Sequence, residues 1–367
     1  MRGSIRKRGA GSYEIQLELE RVNGKRHRRF IAIKGTYKDA QKELTRLLGA
    51  ADDGTLPDPT RMTIANYLHS YLDSALSLSP KTLERYRELA ERQIIPHLGD
   101  VKLQKLRPEH IDRWHAALMA TGLAPRTIGH AHRVLGSVLK RAVENGTLAR
   151  NVTALRRPPA PEAVEVDILA PAEVTAVLDA LRDHALYPIV ALALATGLRR
   201  GELLALEWSD IDLDRAGLTV SKSVEETRAG LRIKPPKTKR GRRNIALPPE
   251  AVAMLRAHKI AQMELRLALG QGGQPTLVFS TIEGKLLSPD NLSRDWRRVC
   301  NAKQLPHVQF HALRHTHAST LIRAGVDVLT ISRRLGHAKA AMTLDVYGHL
   351  MEGADAAAAK AIEGVLK

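Results

Sequence analysis

A single cysteine, Cys300, among 367 residues excludes a disulfide framework and a cysteine-rich zinc site. Its side chain is expected to be a small core residue beside Trp296 and Val299. Long apolar runs are missing as well. The run from Ala185 to Ala195 is too short to span a bilayer and contains Pro188. The N-terminus lacks the apolar core of a signal peptide, so the expectation is a protein of a reducing cytoplasm with no membrane partner. There is no internal repeat, and no low-complexity tract beyond an alanine-rich tail. Acidic residues are few beside basic ones: 39 Asp and Glu against 57 Lys and Arg, a net charge of +18. Such a surplus spreads a positive field over a large surface, and a polyanion is its natural partner. The length allows two or three domains with ample cores.

The chemistry-bearing residues gather late in the chain. His311, Arg314 and His315 stand at i, i+3 and i+4, so a helix there presents two imidazoles and a guanidinium on one face. Leu313, Ala318, Leu321 and Ile322 fall on or near the opposite face and would anchor it. An arginine flanked by imidazoles suits a phosphate, because its fork of donors reaches two oxygens and each His can donate or shuttle a proton. Leu335-Gly336-His337 and Tyr347-Gly348-His349 follow.

The alternation over 13–19 reads as a half-buried strand, and Asn23-Gly24 as a hairpin turn returning through 28–33. A helix from about 36 to 48 follows, with Thr36 as its N-cap. Residues 1–34 carry ten Lys or Arg and three Glu. Small basic sheets of this kind can lie in a DNA groove; a basic sheet without a ligand is the alternative. The polar, Pro/Gly-rich stretch 52–59 reads as a linker.

Helices are expected at about 64–77, 80–95, 108–121 and 125–145. Pro80 follows the cap Ser79 at the favoured first position. Basic side chains outnumber acidic ones there, which fits a binding module or a plain scaffold bundle. Prolines stiffen a second linker at 156–161. The largest domain starts near 165, with helices at 171–184, 186–196, 200–206, 249–268 and 289–300, a turn at 208–212, and strands at 218–220, 245–247 and 276–279. Residues 231–243 hold seven Lys or Arg and no acid, and they are expected to form a basic β-hairpin with Lys237 near its bend.

Ala195-Thr196-Gly197-Leu198-Arg199-Arg200-Gly201-Glu202-Leu203 resembles the first arginine box of the tyrosine recombinases, the phage integrase family. Pro236-Lys237-Thr238, with Arg242-Arg243 downstream, is similar to the family's hairpin-lysine motif. The segments His311–His315, Leu335–His337 and Tyr347–His349 resemble its remaining boxes, in order and spacing. The resemblance covers the whole chain and implies an α+β fold in three parts: a basic arm-type DNA-binding sheet domain (1–55), a helical core-binding domain (60–155), and a mixed, mainly α catalytic domain with a small antiparallel sheet and a C-terminal tail helix (165–367). The two inner domains would clamp the duplex, with the Pro-rich linker passing between them.

The resemblance also implies a chemistry. Tyr347 would attack the phosphorus and leave a 3′-phosphotyrosyl bond and a free 5′-hydroxyl. Arg199 and Arg314 would clamp the non-bridging oxygens, where charge grows in the transition state. A free tyrosine titrates near about 10, so it needs help; His311 is the base that the resemblance implies. Lys237 would protonate the leaving 5′-oxygen, and His337 would donate a hydrogen bond to the phosphate. Glu202 would support the site without doing chemistry. His315, His317 and His349 are expected to be capping or packing histidines. The function so implied is site-specific integration or excision of a mobile element through a Holliday junction, with no metal, cofactor or ATP. The expected partners are double-stranded DNA at core and arm sites, three further copies of the chain, and a DNA-bending accessory protein or directionality factor. The tail would dock on a neighbouring copy or fold back on its own domain.

Three other readings compete. A metal-dependent hydrolase would use His311 and His315 as i, i+4 ligands, but Ala312 stands where the usual zinc helix carries Glu. A non-catalytic DNA-binding regulator would have lost the tyrosine or an arginine, and both are present. Within the family, a chromosome-dimer resolvase is opposed by the basic N-terminal sheet.

Overall fold

Apolar residues at every second position make the N-terminal segment one face of a sheet. Strands β1 (Arg2–Gly9), β2 (Ser12–Val22) and β3 (Lys25–Lys34) run antiparallel in that order. Ile5, Ile15 and Ile31 stand in register across it. Helix α1 (Tyr37–Asp52) covers that face, with Leu47 packed on the fully buried Ile15 and Leu17. Its start is fixed as the sequence foretells: the Asp39 amide donates to the Thr36 hydroxyl at 3.2 Å, and the Thr36 amide donates back to the Asp39 carboxylate at 2.8 Å. Strand β1 was not anticipated, because Ile5 is its lone large apolar residue; pairing with β2 forms it.

The structure, a computed structural model, describes residues 2–22, 25–53, 56–57, 59–162, 166–236, 239–348 and 362–363. The expected turn residues Asn23 and Gly24 lie outside them, although Val22 and Lys25 pair across the gap. So do Lys237, His349 and all of the tail except Ile362 and Glu363. The chain falls into two compact units, 1–162 and 163–367.

The first unit also contains a helical cluster: α2 (Ile64–Asp73), α3 (Pro80–Leu89), α4 (Ile95–Leu98), α5 (Pro108–Ala120) and α6 (Pro125–Glu144). The expected helix at 80–95 runs on to Leu98 through a π-helical turn at Ala90–Ile94. Pro96 offers no N–H to a regular α-turn, and the wider turn lies just before it. Trp114, Ile111, Leu135 and Leu139 are buried at the centre, and the Trp114 indole donates to the Gln93 carbonyl at 2.7 Å.

In the second unit α7 (Pro171–Leu181), α8 (Tyr187–Thr196) and α9 (Arg200–Leu203) precede the strands. Strands β4 (Ile211–Asp212) and β5 (Gly217–Val220) pair antiparallel. Next come β6 (Ser223–Thr227) and β7 (Gly230–Lys234), then β8 (Arg243–Ala246). This order corrects the expected hairpin over 231–243. β7 pairs with β6, whereas β8 pairs with β5, so the basic stretch crosses between two sheets. Glu225 decides the first pairing by accepting from Arg232 and Lys234 across the strands. The expected strand at 276–279 is also corrected. It is extended chain with single bridges, Leu277 to Glu207 and Ser280 to Leu286, because its neighbour turns at once into a 3-10 turn at Trp208–Asp210.

Helices α10 (Pro249–Ala268), α11 (Pro289–Ala302), α12 (Ala312–Arg323), α13 (Val328–Leu335) and α14 (Ala341–Tyr347) complete the unit. Cys300 is buried among Trp296, Val299 and their neighbours, and burial pushes its thiol up to about 11. Among the described residues no helix is long and apolar enough to cross a membrane.

Candidate active site

Two left-handed glycines bring the site together. Gly197 ends α8 at φ 65° and Gly336 ends α13 at φ 67°, a conformation that glycine adopts without a Cβ penalty. The reversals aim the carbonyls of Gly197, Leu335 and Gly336 at arginines. Arg314, on the first turn of α12 and 3% exposed, donates to Gly197 at 2.7 Å and to Leu335 at 2.7 Å. Arg199 donates to Gly336 at 3.3 Å and to the Glu202 carboxylate at 2.8 Å. The two guanidiniums are thus fixed on adjacent carbonyls. Burial, and then the charge of Arg199, push the Arg314 pKa down to about 9, still above neutral pH, so it stays a cation.

Glu202 is 4% exposed and holds a second cation, Arg243 from β8, at 2.8 Å. Burial alone would raise its pKa; the hydrogen bond and charge of Arg243, with Arg199, outweigh that and lower it. Arg243 also donates to the Arg334 carbonyl at 2.6 Å, which locks β8 against the end of α13.

The histidines divide by their contacts. His311 keeps an exposed face and meets His315 edge to face, with centroids 4.9 Å apart. Desolvation of its inner side, then His315 and the arginines, hold its pKa well below the usual histidine value. His337 lies 2.8 Å from the buried Thr343 hydroxyl, and burial followed by Arg314 and Arg199 pushes it down to about 4. His317 is a packing group: its Nδ1 meets the Leu194 carbonyl at 2.7 Å and its Nε2 accepts from Arg334 at 3.1 Å. His315 departs from the expected packing role. Its Nδ1 lies 2.6 Å from the Tyr347 hydroxyl. That tyrosine, at the end of α14, is 2% exposed. Burial pushes its pKa up to about 12, with Arg314 pulling the other way.

Of the residues singled out from the sequence, Arg199, His311, Arg314, His337 and Tyr347 therefore belong to one cluster with Glu202. Lys237 lies outside the described residues; its neighbour Lys234 is engaged by Glu225. Among the described residues no group of three His, Cys, Asp or Glu could hold a metal ion.

Residues 167–353, half of the chain, match the phage integrase family. The chain belongs to that family. Residues 63–119 match the phage integrase N-terminal SAM-like domain. Family relatives include the integrase of Streptomyces ambofaciens, 32% identical over 90% of this chain and 88% of that protein. A XerC-like tyrosine recombinase of Caldanaerobacter subterraneus is 29% identical over 94% of each. The fold is shared with the Tn1549 transposon integrase in complex with transposon right end DNA, at TM-score 0.68, 22% identity, 78% of this chain and 95% of that one. It is shared too with a lambda integrase tetramer bound to a Holliday junction, at TM-score 0.57, 21% identity, and 94% and 95% coverage.

Two contacts of this integrase's cluster escaped the sequence reading. Arg243 stood out only beside the lysine motif, with nothing to mark Glu202, 41 residues away, as its partner. His315 carried no signal that marks it as the tyrosine's partner, because that contact spans 32 residues.

Proposed function

We propose that Tyr347 is the nucleophile of this tyrosine-type site-specific recombinase, which cuts and rejoins DNA to integrate or excise a mobile element. The observation that carries this reading is the convergence of Arg199 and Arg314 on adjacent carbonyls, with the Tyr347 hydroxyl bonded to the residue after Arg314. Fixed guanidiniums cost no reorganisation when the pentacoordinate phosphorus gathers negative charge. Tyr347 Oη forms a bond to phosphorus while the bond to the 5′-oxygen breaks, and Lys237 gives that oxygen a proton. His337, neutral and held by Thr343, donates to a phosphate oxygen. The phosphotyrosyl ester keeps the energy of the broken phosphodiester, so the 5′-hydroxyl of a partner strand can reseal it without ATP.

The basic sheet at 1–55 takes arm-type DNA sites, the helical segment at 60–155 takes core sites, and 165–367 carries out the chemistry. Exchange proceeds in a homotetramer, aided by a DNA-bending or directionality factor. Tyr347→Phe should bind core DNA as the wild type does and form no covalent adduct with a nicked suicide duplex on a denaturing gel. An adduct of undiminished yield would move the nucleophile elsewhere.

A further inference from the structure

The phenol of Tyr347 already has a partner whose chemistry suits the reaction. Its hydroxyl is 2.6 Å from His315 Nδ1, and the two rings are tilted by 54°. Resting on the reading of Tyr347 as nucleophile, we propose that His315 is the general base of strand cleavage, its Nδ1 taking the phenolic proton as the bond from Oη to phosphorus forms.

The surroundings keep this imidazole neutral and so able to accept. It is faced by Arg314 and Asp167, by His311 edge-on, by His337 and by Tyr347. Burial and then Arg314 lower its pKa, with Asp167 opposing. A phenol raised to about 12 does not give up its proton to an imidazole in the ground state. The transfer becomes favourable as Oη turns into an ester oxygen and loses its basicity. The electron pair of the broken bond to phosphorus stays on the 5′-oxygen, which takes a separate proton from the acid. On resealing, the imidazolium returns its proton to the tyrosine. His311 packs on His315, so it props the base and leaves its own ring for the phosphate.

A contact that merely parks the tyrosine would, when removed, leave cleavage unchanged or faster; a base, when removed, slows it. The test is single-turnover cleavage of nicked duplexes by full-length protein, wild type against His315→Gln and His315→Ala. Each is measured with an ordinary 5′-oxygen and with a bridging 5′-sulfur, which leaves without an acid. Both variants should bind core DNA normally and cleave about 100-fold more slowly on both substrates. The wild-type rate should fall on the acid side, below the ordinary histidine range, as His315 gains its proton, and the variants should lack that limb. Cleavage within about threefold of wild type, or a rate restored by sulfur, overturns the proposal. If neither variant folds, the wild-type profile on the sulfur substrate decides: an acid limb supports the base, and a flat profile sinks it. An inert Tyr347→Phe beside a fully active His315→Gln removes only the base. An active Tyr347→Phe removes the nucleophile beneath it.

Discussion

Glu202 and Arg243 form an ion pair at 2.8 Å, with 5% and 6% of their side chains exposed. The same carboxylate holds Arg199 at 2.8 Å. One buried anion thus balances two cations, one of which faces the proposed phosphate site. Removing one partner of a buried pair leaves the other uncompensated, at a cost of about 3–5 kcal/mol. Glu202→Gln is expected to lose stability near the low end, since Arg199 reaches solvent and Gln can still hydrogen-bond. The sign with pH follows from the lowered folded-state pKa. The carboxylate's contribution is present above the unfolded value of about 4.3 and is lost as pH falls through the folded one. Denaturant titrations should show an acid-side decline in the wild type that is shallower in Glu202→Gln. Equal stability at neutral pH would contradict the pairing.

Gly197→Ala should unsettle the site from behind. At φ 65° its added Cβ would meet His317 Cδ2 at 2.6 Å and Leu335 Cδ2 at 2.8 Å. A non-glycine residue in that conformation costs about 1–3 kcal/mol before any clash. Because the Gly197 carbonyl holds Arg314, the cleavage rate should fall further than stability alone explains. A lowered Tm with a normal cleavage rate would mean that this carbonyl does not orient Arg314.

Cleavage should persist in EDTA. In the proposed reaction Arg199 and Arg314, with Lys237, would supply the positive charge that a divalent ion brings to other phosphoryl transfers. The measurement is adduct yield on a suicide duplex after chelation. Complete loss, restored by Zn²⁺ or Mg²⁺, would revive a metal-dependent reading.

Deleting residues 1–55 should abolish integration between full attachment sites while sparing binding and cleavage of an isolated core site. The sheet has its own apolar cluster around Ile15, Leu17 and Leu47, so the truncation removes one core and leaves the helical cluster its own. Gel-shift, cleavage and recombination assays on the same preparation separate the outcomes. Integration at wild-type frequency would show that the sheet does not read arm sites.

Sequence alone determined much of the helical architecture. Helix α10 begins and ends where periodicity places it, and α5 and α6 end within one residue of expectation. Caps, N-terminal prolines and i, i+4 spacing act within a few residues, so their signals are local. The order of the arginine, histidine and tyrosine boxes was equally plain. Tertiary structure alone decided the partners. Arg314 reaches a carbonyl 117 residues away, and Arg243 a carboxylate 41 residues away. Neither the β6–β7 pairing nor the choice of His315 over His311 for Tyr347 is encoded in spacing. His311 caps α12 and His315 lies one turn on, so both histidines share a face, and only the packing of Tyr347 among Ala318, Ile322, Ile331 and Leu335 determines which ring meets the phenol.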